Sequence, residues 1–387
     1  MASSIGSEWR ALPGLRALGA AEEEALRRVL DRRALYRGDG IAPPCEVREA
    51  ERELAARYGR RHALLFNSAT SALHAALHAL GIGRGDEVIV PGYGWITNLS
   101  VVLQLGATPV LAPVTSGLSI DAAAVEGCLS SKTRALTRVH ALGLPAASVS
   151  IGSIALLDDT CQALGTELRG RPAGADALMS VLSFQAYKLI TSGEGGCLLT
   201  DDDALYTRAV RFHDAGLARF AHSAPATQSE PVGIGLNLRM SELTAAVLRA
   251  QLERLDALVA QQRAAHARMA AAFQPWIARG WMRVVEPPKG GAGNGTTLVL
   301  EAESETRAAR LAAAMQQRGI GVVHAREDRL HTLPGWIAYL EAQSLPHRVV
   351  ERERSEAIIA RTLMLDVNAA LTAASWDALR RSIDSEE

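Results

Sequence analysis

The chain has 387 residues, 48% hydrophobic and 21% charged, which is the composition of a globular protein able to bury a substantial core in two domains. A formal net charge of −1 gives no general attraction to nucleic acid or anionic lipid, and no apolar run is long enough to span a bilayer. The start, MASSIGSEWRALPG, lacks a basic region followed by an apolar one, and Cys45, Cys128, Cys161 and Cys197 show no CxxC spacing, so a cytoplasmic protein is expected.

Taken in order, seven short apolar runs read as strands: ALLF (63–66), EVIVP (87–91), TPVLAPV (108–114), RALTRVH (134–140), SIALLD (153–158), LMSVLSF (178–184) and GCLLT (196–200). The first three alternate with Ala- and Leu-rich helical stretches such as 70–80 and 97–106. This alternation predicts an α/β fold: a three-layer α/β/α domain around a mixed, mostly parallel seven-stranded sheet. Residues 241 to 273 contain no Gly or Pro and read as one long helix with Ser241 as its N-cap. PPKGGAGNG (287–295) reads as a loop or hairpin tip. TTLVLEA (296–302) and IGVVHA (320–325) read as strands around a helix at 305–318, with further helices after them. We expect 1–250 to hold the N-terminal segment and large domain, and 251–387 a linking helix and a smaller α+β domain.

Only three of the 41 basic Lys and Arg side chains are lysines. Ala and Arg richness from base composition accounts for the shortage, but it leaves few candidates for an ammonium that must deprotonate. Lys132 (SSKTR) and Lys289 (PPKGG) lie in polar turn-like segments, where a solvated charge is the ordinary state. Lys188, in SFQAYKLITSGEGG, follows an apolar run and precedes a Gly-rich turn, the setting of an amine that condenses with a carbonyl.

A site for pyridoxal phosphate would also need a carboxylate for the ring nitrogen, N–H donors for the phosphate and an aromatic face over the ring. NSATSALHAAL (67–77) offers Ala69 and Thr70 at the start of a helix, though an ordinary capped helix gives the same pattern. Trp95 follows a strand's carboxyl end, where α/β sheets bind ligands; a packing Trp fits there equally well. Asp158 and Asp159 end another strand, as ring partner or as helix caps, and Ser183 lies five residues before Lys188.

Together these motifs, with GDEVIVPGYGWITN, GATPVLAPV, DDTCQALG and GLNLRMSELTAA, resemble the DegT/StrS-type sugar (aminocyclitol) aminotransferases from about Leu30 to Leu255. The resemblance implies an aspartate-aminotransferase-like fold and pyridoxal 5'-phosphate as cofactor. It implies that Lys188 forms the Schiff base, Asp159 pairs with the ring nitrogen, Gln162 lies near the phenolic oxygen and Trp95 stacks on the ring. Ala69, Thr70 and Ser183 would hold the phosphate, and Asn237 would complete the site of the neighbouring subunit in a homodimer. Arg239, in the same motif, is equally well explained by a structural ion pair. The implied partners are an amino acid donor, glutamine or glutamate, and a keto-sugar or keto-cyclitol acceptor from secondary metabolism. SFQAYKLITSGEGG is closer to the aminocyclitol-forming members.

This chain departs from the family at several points. Ala69 stands where the family usually has glycine. Only fifteen residues separate Gly143 from Asp159, too few for the family's usual helix plus a strand. No clear version of the substrate-facing histidine motif is present; His324 and His331 are candidates, with a surface histidine as the plainer account. Other chemistry on the same fold, such as dehydration or cyclisation, and a non-catalytic regulator or partner subunit are the alternatives. Retention of Lys188 argues against the dehydratase branch. GIGRGD (81–86) reads as a turn, RVVERERSE (348–356) as a solvated helix face, and the ten histidines include no HExxH or Cys/His cluster, so no metal site is expected.

Overall fold

Apolar strands bounded by Gly- and Asp-containing turns, alternating with amphipathic helices, build the first half of the molecule. The computed structural model describes residues 11–33, 35–37, 45–217 and 233–384. Helices α1 (Pro13–Arg16), α2 (Ala20–Arg32) and α3 (Glu46–Tyr58) come first. Strand β1 (His62–Phe66) leads into α4 (Ala69–Ala79), β2 (Glu87–Pro91) into α5 (Thr97–Gln104), and β3 (Thr108–Ala112) toward the short α6 (Val125–Cys128). Then come β4 (Thr133–Val139), β5 (Ala155–Asp159), the small β6 (Glu167–Leu168) and β7 (Arg171–Pro172), β8 (Met179–Ser183), β9 (Gly196–Thr200) and α7 (Asp203–His213). Helices α8 (Glu242–Leu252), α9 (Leu255–Ala272) and α10 (Gln274–Ala278) follow. The remainder is β10 (Met282–Val284), β11 (Gly291–Ala292), β12 (Thr297–Ala302), α11 (Glu305–Gln317), β13 (Val322–His324), α12 (Leu333–Ala342), β14 (Arg348–Val349), α13 (Arg352–Ile359), β15 (Thr362–Asp366) and α14 (Ala373–Asp384).

The large sheet runs β1-β9-β8-β5-β4-β2-β3-β14. All seven expected strands are in it; the eighth, β14, is a two-residue edge strand parallel to β3, too short to leave a pattern in the sequence. Pairing is parallel from β8 through β3, and β9 alone is antiparallel to both its neighbours. β8 and β9 are buried at every residue, as strands covered on both faces should be. The carboxyl ends of β1, β2, β4, β5 and β8 therefore emerge along one edge, beside the amino end of β9. Register there sets Gly196 between Phe66 and Ser183, and Asp159 between Val139 and Val181.

The stretch expected as one long helix is two. Arg254 leaves helical geometry (φ −105°, ψ 1°) between α8 and α9. Neither Gly nor Pro marks the break. The Arg254 guanidinium instead donates to Ala17 O (3.0 Å) and to Glu22, so contacts with the N-terminal helices turn the chain. Beyond it, a four-stranded sheet, β10-β12-β15-β13, carries its own core of Leu298, Leu300, Leu363, Leu365, Trp276 and Met315. Leu333, Trp336, Ile337 and Leu340 of α12 pack into the core of the large sheet.

Among residues 144–154 no helix forms, as the short spacing before Asp159 implies. An extended segment lays Val149, Ile151 and Ile154, each partly buried, against Ile89, Val110 and Leu136. Beneath it is a buried ion pair. Arg138, 1% exposed, donates through Nε and Nη2 to Asp158 (2.8 and 2.7 Å), through Nη2 also to Asp176 (2.9 Å), and through Nη1 to Ala147 O (3.3 Å). Burial by itself would raise the Asp158 carboxyl, but His140 and Arg138 outweigh it and hold it at about 2. Because that value is depressed, the stability it confers is present above about pH 4 and is lost as pH falls toward the folded-state value.

Arg138→Leu would leave the Asp158 charge buried without its cation, so the unfolding free energy at neutral pH should fall by about 3–5 kcal/mol. Urea denaturation of the two proteins measures this, and a loss below about 1 kcal/mol, the range of an exposed pair, would contradict it.

Candidate active site

At one end of the sheet edge, β1 stops at Phe66 and Ser68 caps α4, its Oγ accepting the Ser71 N–H at 3.1 Å. Among the described residues, the Ala69 and Thr70 N–H groups and the Thr70 hydroxyl have no hydrogen-bond partner. Free N–H groups at a helix N-terminus form an anion site. Gly196 faces them: a Cβ at that position would lie 2.5 Å from the backbone N and Cα of Ala69. Ser183, paired with Gly196 across β8 and β9, adds a buried hydroxyl. Ala69 is the first residue of α4 and lies outside the positive-φ region, so alanine fits there without strain.

Strand alternation separates the two acids that end β5. Asp158 goes to the Arg138 side, and Asp159, 4% exposed, faces the opposite way. Its Oδ2 accepts from Asn98 Nδ2 at 2.7 Å and its Oδ1 from the Cys161 N–H at 2.9 Å. No helix follows β5, so neither acid is a helix cap. Lys188 lies half-buried in the loop between β8 and β9, and its amine has no hydrogen-bond or ion-pair partner among the described residues. Both groups act on the Cys161 thiol: burial pushes that thiol well above its usual value and Asp159 adds to the rise, while Lys188 opposes it. Cys161 is therefore a protonated thiol rather than a nucleophile.

Two residues that sequence reasoning missed hold the lysine loop. Gln251, fully buried in α8, accepts the Thr191 N–H at 3.0 Å and donates to Gly14 O at 2.9 Å. Gly14 packs so closely that a Cβ would lie 2.9 Å from Lys188 O.

Gln162 is half-buried, and its Oε1 accepts the Leu142 N–H at 2.8 Å, which leaves Nε2 free as a donor. Leu142 (φ 56°) and Gly143 (φ 75°) are consecutive left-handed residues, a costly state for leucine that turns its N–H onto Gln162. Asn294, 1% exposed, secures this corner. Its Nδ2 donates to Gln162 O and Leu164 O, both at 3.1 Å, and its N–H to Gly143 O at 2.9 Å. Nothing in the Gly-rich run around it signals that this asparagine is buried.

Trp95 is 43% exposed, with its ring centred 5.0 Å from that of His331. His331 Nδ1 lies 2.8 Å from Asp328 Oδ2, and the Gly94 N–H donates to His331 O. Burial would raise the Asp328 carboxyl, but His331 and nearby N–H groups hold it below the usual range. Of the two histidines weighed from sequence, His331 thus adjoins Trp95, whereas His324 is buried with Nε2 on Ala360 O at 2.7 Å. Arg239 is taken up by an ion pair to buried Asp214, which bears out the structural account of it. Asn237 is exposed, and its side chain has no hydrogen-bond partner among the described residues.

The residues fit a planar, anionic, aldehyde-bearing cofactor. Unpaired donors stand at the α4 end, a carboxylate is anchored at β5, an amine is free for condensation and an indole is open at the edge. Among the described residues no group of three or more His, Cys, Asp or Glu could hold a metal ion.

Comparison with known proteins points to the same cofactor class. Residues 17–383 match the model of the DegT/DnrJ/EryC1/StrS aminotransferase family. The fold resembles an aminotransferase from Psychrobacter cryohalolentis at 24% identity, covering 95% of this chain and 96% of that one, with a TM-score of 0.82. It resembles 3-amino-5-hydroxybenzoic acid synthase at 25% identity, covering 95% and 96%, with a TM-score of 0.76. It also resembles the E. coli GDP-4-keto-6-deoxy-D-mannose-3-dehydratase with bound hydrated PLP, at 19% identity over 98% and 99% of the chains and a TM-score of 0.82.

If the α4 N-terminus holds the phosphate, Gly196→Ala will displace it. Pyridoxal phosphate affinity should then drop about tenfold or more, equivalent to an overpacking cost of roughly 1–3 kcal/mol. An absorbance titration measures this, and wild-type affinity would place the phosphate elsewhere.

Proposed function

The chain belongs to the DegT/DnrJ/EryC1/StrS aminotransferase family of pyridoxal-phosphate enzymes, and on that premise we propose that it moves an amino group from glutamine or glutamate to a keto-sugar or keto-cyclitol. The observation that carries this is the pairing of a half-buried lysine, without a partner among the described residues, with an anchored, buried carboxylate at the same sheet edge. When bound, pyridoxal phosphate supplies an aldehyde that exchanges amines and a ring that withdraws electrons.

The chain's own residues do the rest. Ala69 and Thr70 N–H groups, with the Thr70 and Ser183 hydroxyls, bind the phosphate. Asp159 accepts a hydrogen bond at the ring nitrogen and favours its protonated form. Gln162 Nε2 donates toward the phenolic oxygen, and the open Trp95 ring covers one face. Lys188 Nζ would hold the cofactor through its aldehyde and, as the freed amine, would take the proton from the donor's α-carbon.

For the acceptor, support comes from relatives: one acts as a synthase of an amino-hydroxybenzoic acid, and one neighbour was solved with a bound GDP-sugar. We propose a secondary-metabolite setting for this reaction. Exposed Asn237 would serve the partner's site in a homodimer. It is flanked by exposed Ile234 (90%) and Leu236, and Leu35 O and the Tyr36 ring lie against Glu242 and Arg239 of the same segment, an apolar surface suited to a second copy. Residues 1–250 would form the cofactor-holding part and 251–387 the linking and smaller part. The free thiols Cys45, Cys128, Cys161 and Cys197 suit a reducing cytoplasm. No helix among the described residues is long and apolar enough to cross a membrane.

The test is spectroscopic. The holo protein should absorb in the visible, bleach with glutamine or glutamate, and recover with a keto acid. Lys188→Arg should keep the native circular dichroism and lose turnover by at least about a thousandfold. Near wild-type transamination by that variant would refute the assignment, and a visible band that no amino donor bleaches would favour a different reaction on the same cofactor.

A further inference from the structure

We infer that Asn98 is a positioning residue for the cofactor's ring nitrogen, acting through Asp159; this rests on the pairing of Asp159 with that nitrogen proposed above. Asn98 lies in the first turn of α5 and is 2% exposed. Its Nδ2 donates to Asp159 Oδ2 at 2.7 Å and reaches Trp95 O at 3.4 Å. One amide therefore ties the ring-nitrogen partner to the backbone of the ring-stacking residue.

The other end of the amide reveals what the arrangement favours. Asn98 Oδ1 is fully buried and has no hydrogen-bond partner among the described residues. Turning the amide over would not relieve this, because Oδ1 would then meet a carboxylate oxygen, acceptor against acceptor. A site shaped for stability alone would not keep a buried orphan acceptor, since an apolar side chain of similar shape removes it. The orphan persists as the consequence of aiming an N–H at Asp159.

Charge explains why the donor is an amide. Both protein donors to Asp159, Asn98 Nδ2 and the Cys161 N–H, are neutral, and no ion pair to Asp159 occurs among the described residues. Neutral donors orient the carboxyl group without pairing it with a cation. An arginine there, like the Arg138 that satisfies Asp158 one residue earlier, would compete with a protonated ring nitrogen. A carboxylate at position 98 would force the two acids to share a proton. Packing holds the amide in place: a Cβ on Gly94 would come 3.5 Å from Asn98 Nδ2, 3.4 Å from Val139 and 3.7 Å from Trp336.

The experiment uses the full-length holo protein and three variants, Asn98→Ala, the near-isosteric Asn98→Asp, and Asp159→Asn as control. Two readouts are taken: affinity for pyridoxal phosphate by absorbance titration, and protonation of the ring nitrogen by NMR of nitrogen-15-labelled cofactor. Both Asn98 variants should bind the cofactor about tenfold more weakly. Asn98→Ala should also shift the ring nitrogen toward its neutral form at neutral pH, and Asn98→Asp, which sets a second carboxyl beside Asp159, should move the nitrogen signal away from wild type, with native circular dichroism retained. A purely structural role would leave the nitrogen signal of folded protein unchanged. If Asn98→Ala does not fold, the nitrogen signal of Asn98→Asp decides. Should Asp159→Asn alter that signal while both Asn98 variants match wild type, the inference about Asn98 fails and the role of Asp159 stands. A wild-type signal in Asp159→Asn would overturn both.

Discussion

A carboxyl group that is only 4% exposed needs hydrogen-bond donors in place of the water it has lost, and Asp159 has two neutral ones, from Asn98 and Cys161. Much of the site depends on this. The alternation of β5 sends Asp158 to one face, where arginine neutralises it in a structural ion pair, and Asp159 to the other, where neutral N–H donors hold it. A shift of one residue in register would exchange these roles. The sheet thus places an ion-paired acid and an acid held by neutral donors side by side.

Topology gathers the remaining groups. Because β9 alone runs against its neighbours, its first residue, Gly196, meets the last residues of β1 and β8, and the start of α4 closes over all three. The lysine loop leaves β8 at the same edge and is pinned from behind by Gln251 and Gly14. Departures from ordinary stability collect here: left-handed Leu142 and, among the described residues, an Asn98 Oδ1 and a Lys188 amine without hydrogen-bond partners. Features of this kind are tolerated where well-packed strands surround them.

Residues that announce themselves by chemistry within a local pattern were legible in the sequence. Seven apolar strands and the helix after NSAT stand where the sequence reading expects them. Residues that matter through distant contacts were not. Asn98 and Gln251 are polar positions on helices whose partners lie 61 and 60 residues away, and Asn294 sits in a glycine-rich run that reads as a solvated tip. The break at Arg254 escaped notice because tertiary hydrogen bonds, rather than Gly or Pro, impose it. β14 is two residues long and carries no periodicity of its own.

With only three lysines in the chain, the central claim has a direct chemical test. Treating the holo protein with borohydride makes the lysine–cofactor bond permanent, and peptide mass spectrometry then locates it. The account predicts the added cofactor mass on the peptide containing Lys188 alone. That mass on the Lys132 or Lys289 peptide, or on none, would contradict it.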